Sequence, residues 1–127
     1  MPESFVPVAV TARNLTDYRL AFGLDEDSLT HRSFADVASG ASSFAAELRS
    51  CGGKAVSVDP LYRTGPAAAR DRARHNLMQC ERWLSAHSSI IDWDHLGSAH
   101  GYRLDGLRAA DMFHGDFATH PEHYVAA

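Results

Sequence analysis

Asp36, Gly40 and Asp59 are the residues whose types and spacing could do chemistry together. Asp36 stands near the end of a short apolar run, SFADVAS, and the small-residue turn Ala38-Ser39-Gly40-Ala41-Ser42 follows at once. Asp59 closes a second apolar run, KAVSVDP, 19 residues beyond Gly40. A glycine lets the backbone approach a ligand with no Cβ in the way. A carboxylate has acceptor sites enough to hold both hydroxyls of a ribose. If the two runs are adjacent parallel strands, all three features lie outside their carboxyl ends, where ligands bind in open α/β sheets. The geometry suits an adenosine-type ligand.

Positioning these residues requires a strand, a tight turn, a helix and a second strand between residues 33 and 60. In SFAAELRSC, Phe44, Leu48 and Cys51 recur at helical spacing and share one face. Ser42 or Ser43 can cap that helix, and Gly52-Gly53 can end it. Such a βαβ unit implies a parallel sheet covered by helices, with a right-handed crossover. Residues 11–23 read as a short helix presenting Leu15, Tyr18 and Phe22 on one face, and LDEDSLTHRS as a polar connector. Residues 65–88 read as a longer helix with an apolar stripe of Ala69, Ala73, Leu77, Cys80 and Leu84, which places Cys80 in the core. SSIIDWDHL fits a brief strand or a loop. Residues 104–113 fit one or two helical turns, and HGDFATHPEHYVAA has a mostly irregular pattern. The chain divides into an amino-terminal helical cap with its connector, 1–32, and an α/β cofactor-binding unit, 33–127.

Composition narrows the function classes. The chain has 127 residues, of which 45% are hydrophobic and 22% charged, enough for one domain with a modest core. A net charge of -4 disfavours a general nucleic-acid binder. The charge is uneven: residues 61–90 hold 5 basic and 2 acidic side chains, a stretch that is a solvated helix face or one turned to an anionic substrate. No apolar run reaches the roughly 20 residues that span a bilayer, and the start shows no signal-peptide pattern, so the expected address is the cytoplasm. Cys51 and Cys80 are too few for a disulfide framework.

A dinucleotide site wants three glycines, because a pyrophosphate must sit on the helix N-terminus. Here those positions hold Ala38, Gly40 and Ser43. S-adenosylmethionine carries no phosphate, so one glycine and a ribose acceptor suit it better. A nicotinamide cofactor would instead place phosphate contacts at Ser42 and Ser43. A non-catalytic domain that binds no cofactor would show a collapsed turn with no pocket beside Asp59.

The segment FADVASGASSFAAELRSCGGKAVSVDPLYR resembles motif I and the following acidic motif of class I S-adenosylmethionine-dependent methyltransferases. It is similar in particular to a bacterial group reading roughly "LDxAxGxxSFxAE" and then "SVDPLY". The likeness covers residues 34–63 well and extends loosely to TDYRLAFGL, DMFHGDF and HYVAA. The resemblance implies a Rossmann-like fold and S-adenosylmethionine as cofactor. It implies that Asp36 lies near the methionyl amino group, and that Ala38, Ser39 and Gly40 pack on the methionyl and ribose portions. It further implies that Asp59 holds the ribose hydroxyls, that Leu61 lies against adenine, and that Asp116 contacts the adenine amino group. Ala38 stands where most class I enzymes have glycine.

A class I sheet has seven strands, whereas this sequence offers two clear strands and one or two weak ones. The expectation is therefore a fold cut short before its substrate region, with an unpaired sheet edge prone to self-association. No catalytic residue and no methyl acceptor can be named. Eight histidines, among them His95, His100, His120 and His123, tempt a metal assignment, but their spacing does not make the tight sets that zinc sites use. No metal is expected. Trp83 and Trp93 read as packing residues.

Overall fold

The computed structural model describes residues 9–127. The first eight residues, part of the stretch read above for a signal peptide, lie outside the described residues. The elements are α1 (Leu15–Phe22), α2 (Glu26–His31), β1 (Ser33–Val37), α3 (Phe44–Ser50), β2 (Lys54–Val58), α4 (Pro66–Ala86), α5 (Trp93–Leu96), α6 (Ala99–Thr119) and β3 (Tyr124–Val125). Short 3₁₀ turns cover Pro60–Thr64, Ser88–Ile90 and Pro121–His123. The molecule is mixed α/β, mostly helical, around one small sheet.

That sheet has three strands in the order β1-β2-β3, all parallel. β1 and β2 pair along their whole length, from Ser33 opposite Lys54 to Val37 opposite Val58. β3 adds two residues, Tyr124 opposite Ser57 and Val125 opposite Val58. The βαβ unit expected over 33–60 is present. α3 starts at Phe44 because Ser42 Oγ accepts the Phe44 N–H at 3.1 Å, while Ser43 occupies the cap position without capping. Gly52, at φ +87°, lets the chain leave the helix, and the Gly53 N–H returns to the Leu48 carbonyl at 2.9 Å. Phe44, Ala45 and Leu48 of α3 pack with Ala55 of β2 and Leu29 of α2.

The connection from β2 to β3 is a helical hairpin. α4 and α6 each have 21 residues, about 31 Å of helix. They run antiparallel, with Glu81 paired to Arg103 and Leu77 against Gly106. Small residues set the close approach: Ala69, Ala73, Gly106, Ala109 and Ala110 are buried along the seam. A Cβ on Gly106 would sit 2.4 Å from Leu77 Cδ2, so any side chain there would force Leu77 to move. At the sheet end of the hairpin, Phe113 and Phe117 join Tyr62 and Tyr124 in an aromatic cluster whose centroids lie 4.6–5.8 Å apart.

Several expectations are corrected here. The polar connector contains α2, nucleated by Asp25 accepting the Ser28 N–H at 2.8 Å. The helical turns placed at 104–113 belong to one helix from Ala99 to Thr119, which takes in the start of the tail expected to be irregular. SSIIDWDHL forms a 3₁₀ turn and α5, not a strand. Cys80 is exposed rather than in the core, because the hairpin opens there into a shallow groove of about 210 Å³ between Trp83, Leu96 and Tyr102. Cys51 follows the last turn of α3 and is exposed, outside the face shared by Phe44 and Leu48. Trp83 is 52% exposed and stacks on His87, so it does not fill the core. Trp93 is half-buried and donates its indole N–H to the Ser88 carbonyl at 2.9 Å. Among the described residues no helix is long and apolar enough to cross a membrane.

Candidate functional site

Ala38 and Gly40 both adopt left-handed backbone, at φ +57° and +56°. This sharp reversal carries the chain from the end of β1 over the end of β2. It is anchored from three sides. The Ala38 N–H donates to the Val58 carbonyl at 2.7 Å. The Gly40 N–H donates to Asp59 Oδ2 at 2.9 Å. The Tyr62 hydroxyl donates to the Gly40 carbonyl at 2.8 Å and also meets the Ser39 hydroxyl. The fourth side is an extended arm, residues 9–14, which crosses directly over Gly40. A Cβ there would lie 2.9 Å from the Thr11 carbonyl oxygen.

Asp59 therefore touches the turn itself. Its other oxygen accepts the Leu61 N–H at 2.9 Å, which opens the 3₁₀ turn. Each carboxylate oxygen keeps a further acceptor site after these two bonds. Beside it lies a cleft of about 380 Å³, lined by Val10 and Thr11 of the arm, Ala38 and Gly40 of the turn, Asp59, Leu61 and Thr64, and Arg72 of α4. That volume lies in the range of small-molecule sites. Ala38, Gly40, Asp59 and Leu61, four of the residues singled out from the sequence, converge on it. Ser39 is buried beneath the turn and serves it through Tyr62.

Asp36 is placed differently. It is buried, at 9% exposure, and does not line the cleft. Both of its oxygens lie 2.9 Å from the Tyr18 hydroxyl of α1. Burial pushes its carboxyl up to about 6; the Tyr18 hydrogen bond opposes that rise and the charge of Asp59 adds to it. Burial likewise pushes the Tyr18 phenol up to about 12, so it stays neutral and donates. The Tyr18 ring stacks on Phe44 with centroids 4.6 Å apart.

Asp116 lies outside the cleft. Its carboxylate is taken by Arg49 of α3 and by the Tyr124 hydroxyl. Arg49 also donates to the Ala55 carbonyl at 2.7 Å, tying α3, β2 and α6 together. A second cavity of about 310 Å³ adjoins this cluster beside His120 and His123. Glu122 lies 3.5 Å from His120 and 3.7 Å from His123. Among the described residues no three histidine, cysteine or acidic side chains converge as a metal site would require.

The N-terminus of α3, where a pyrophosphate would sit, is already satisfied. The Ala41 N–H donates to the Thr11 carbonyl and the Ser43 N–H to the Arg13 carbonyl, both at 2.9 Å. Ser42 and Ser43 are buried, with their hydroxyls turned to Arg13 and Glu47. Sequence reasoning missed the arm, Tyr18, Tyr62 and Arg72 as parts of this region. Tyr62 follows Leu61 directly in SVDPLY, so its place in the run was the available signal. The arm has no apolar period that would have revealed it.

No family model matches the chain, and no solved structure matches it. A protein of Methanocaldococcus jannaschii, described as uncharacterized, is 28% identical over 114 residues. The match covers 89% of this chain and 51% of the archaeal protein, so the chain spans about half the length of that relative.

Proposed function

We propose that the cleft beside Asp59 binds S-adenosylmethionine, and that this chain is the cofactor-binding part of a class I methyltransferase with a Rossmann-like sheet. The observation that carries the reading is the direct contact between the Gly40 turn and Asp59 at the mouth of one cleft. A ribose acceptor and a close-approach glycine are thereby held against each other at the carboxyl ends of two neighbouring parallel strands. The strand order β1-β2-β3 agrees with one half of a doubly wound sheet, in which the outer edge of β1 is where the second half would begin.

In this reading Asp59 takes the ribose hydroxyls, Leu61 lies against adenine, and Ala38 and Gly40 face the sulfur and ribose region, with Ser39 buried behind them. The bound cofactor supplies a methyl group on a sulfonium, ready for in-line attack by a substrate nucleophile. The chain's own contribution is positioning. Arg72 of α4 brings a guanidinium to the lining of the cleft. A nicotinamide dinucleotide fits less well, because the amides and hydroxyls that would meet its phosphates are bonded to the arm and to Glu47. A collapsed turn is disfavoured by the cleft itself.

Parallel equilibrium titrations of the wild-type chain with S-adenosylhomocysteine and with NAD test the reading. Saturable binding of the first, with none of the second, is expected. NAD binding in preference to S-adenosylhomocysteine would replace the reading with the oxidoreductase alternative.

A further inference from the structure

Two elements far apart in sequence share the lining of the cleft. The arm supplies Ala9, Val10 and Thr11, and α4 supplies Arg72. The arm is held to the Gly40 turn through its backbone, because the Thr11 carbonyl accepts the Ala41 N–H and the Arg13 carbonyl accepts the Ser43 N–H. It is held to α4 by a side chain. The Val10 N–H donates to Asn76 Oδ1 at 2.5 Å. Asn76 stands one helical turn beyond Arg72, on the same face of α4. It is half-buried and does not line the cleft itself. Its Nδ2 lies 3.5 Å from Gln79 Oε1, which leaves the amide oxygen for the arm. The Val10 side chain is buried in the core cluster that includes Ala69 and Ala73 of α4.

We propose that Asn76 is a positioning residue for the ligand of this cleft: by tying Val10 to α4 it holds the arm as a fixed wall and slows the release of what is bound. The proposal rests on the adenosyl-ligand reading above. Asparagine is a poor choice for a helix interior, because its amide competes for backbone groups. Here that amide serves the backbone of another segment, and the segment it serves is a wall of the cleft. Without the acceptor, the Val10 N–H would be left unpaired beside a buried side chain, which is costly. The arm would relieve that cost by lifting from α4 toward water. Ala9, Val10 and Thr11 would then line the cleft only part of the time. Asp59 and the Gly40 turn hold each other without Asn76, so the approach of a ligand should change little and its escape should change most.

Binding kinetics of S-adenosylhomocysteine to the wild type, Asn76→Ala and Asn76→Asp test the proposal. Asn76→Ala removes the acceptor, whereas Asn76→Asp keeps one. The dissociation rate should rise about fivefold or more in Asn76→Ala, with the association rate within about twofold of the wild type. Asn76→Asp should recover most of that loss. Equal dissociation from the wild type and Asn76→Ala, or no recovery in Asn76→Asp, overturns the tie and leaves the cofactor reading standing. A folded wild type that does not bind removes both. Hydrogen exchange without ligand separates the tie from general stabilisation of the fold. The Ala41 amide, whose bond to Thr11 reports the seating of the arm, should speed up in Asn76→Ala about fivefold more than the amides of α6. An equal change throughout the chain would mean that Asn76 serves the fold alone, and overturns the proposal.

Discussion

Ala38 holds a left-handed backbone, φ +57°, that costs a residue with a Cβ about 1–2 kcal/mol. Glycine would remove that cost but lose more freedom on folding, about 0.5–1 kcal/mol. Ala38→Gly is therefore expected to raise stability by a net amount of about 0.5–1 kcal/mol, read from urea denaturation. Gly40 has the opposite character. Gly40→Ala adds the same backbone cost and also drives a Cβ to 2.9 Å from the Thr11 carbonyl, which the arm cannot avoid without losing its bond to Ala41. A loss of about 2 kcal/mol or more is expected. An unchanged midpoint for Gly40→Ala would mean that the arm does not lie on the turn. Ala38, Gly40 and Asp59 were legible in the sequence because turn, acid and spacing are local properties, whereas the arm and Arg72 reach the cleft through tertiary packing. Tyr18 was legible only as part of an apolar face; its bond to Asp36 joins residues 18 positions apart through tertiary packing.

At the scale of elements, the unit from β1 to β2 was readable because its apolar runs are short, each broken by one polar residue, and closed by a glycine-containing turn or by proline. α4 was readable from its long stripe, and the structure sets it at Pro66–Ala86. α6 was seen only in part. Gly101, Gly106 and Gly115 break its pattern, and at Gly106 the glycine is there for the close approach of Leu77 rather than to end a helix. α2 buries one side chain, Leu29, so it has no period to read. β3 is two residues long and depends on pairing with Ser57 and Val58. Asp116 belongs to this scale, because its partners come from α3 and from β3. The Arg49 and Asp116 side chains are only 14% and 16% exposed. Asp116→Ala leaves the Arg49 charge without its partner, so a loss of about 2 kcal/mol or more is expected in chemical denaturation. Binding of S-adenosylhomocysteine by the folded fraction should be unchanged. A selective loss of binding with normal stability would restore the adenine contact that the resemblance implies.

At the scale of the molecule, the hairpin cluster packs on the sheet at Tyr124 of β3, while among the described residues β1 pairs with β2 alone. Val37, at the end of β1, is 70% exposed. An edge with free backbone groups and an exposed apolar side chain is a template for pairing with another strand. The chain is expected to sediment with a weight that rises with concentration, and Val37→Lys should shift it toward the monomer. A wild-type chain that stays monomeric at high concentration would show that the edge is protected. The hairpin, with its long antiparallel seam, supplies much of the buried apolar surface, so the small sheet depends on it to stay formed.

The central claim is that Asp59 and the Gly40 turn form an adenosyl-ligand site. Calorimetric titration of the wild type and of Asp59→Ala with S-adenosylhomocysteine, with circular dichroism to establish that both are folded, tests it most directly. The account predicts saturable one-to-one binding by the wild type and a loss of at least about tenfold in affinity for a folded Asp59→Ala. No binding by a folded wild-type chain, or equal binding by both proteins, would contradict it.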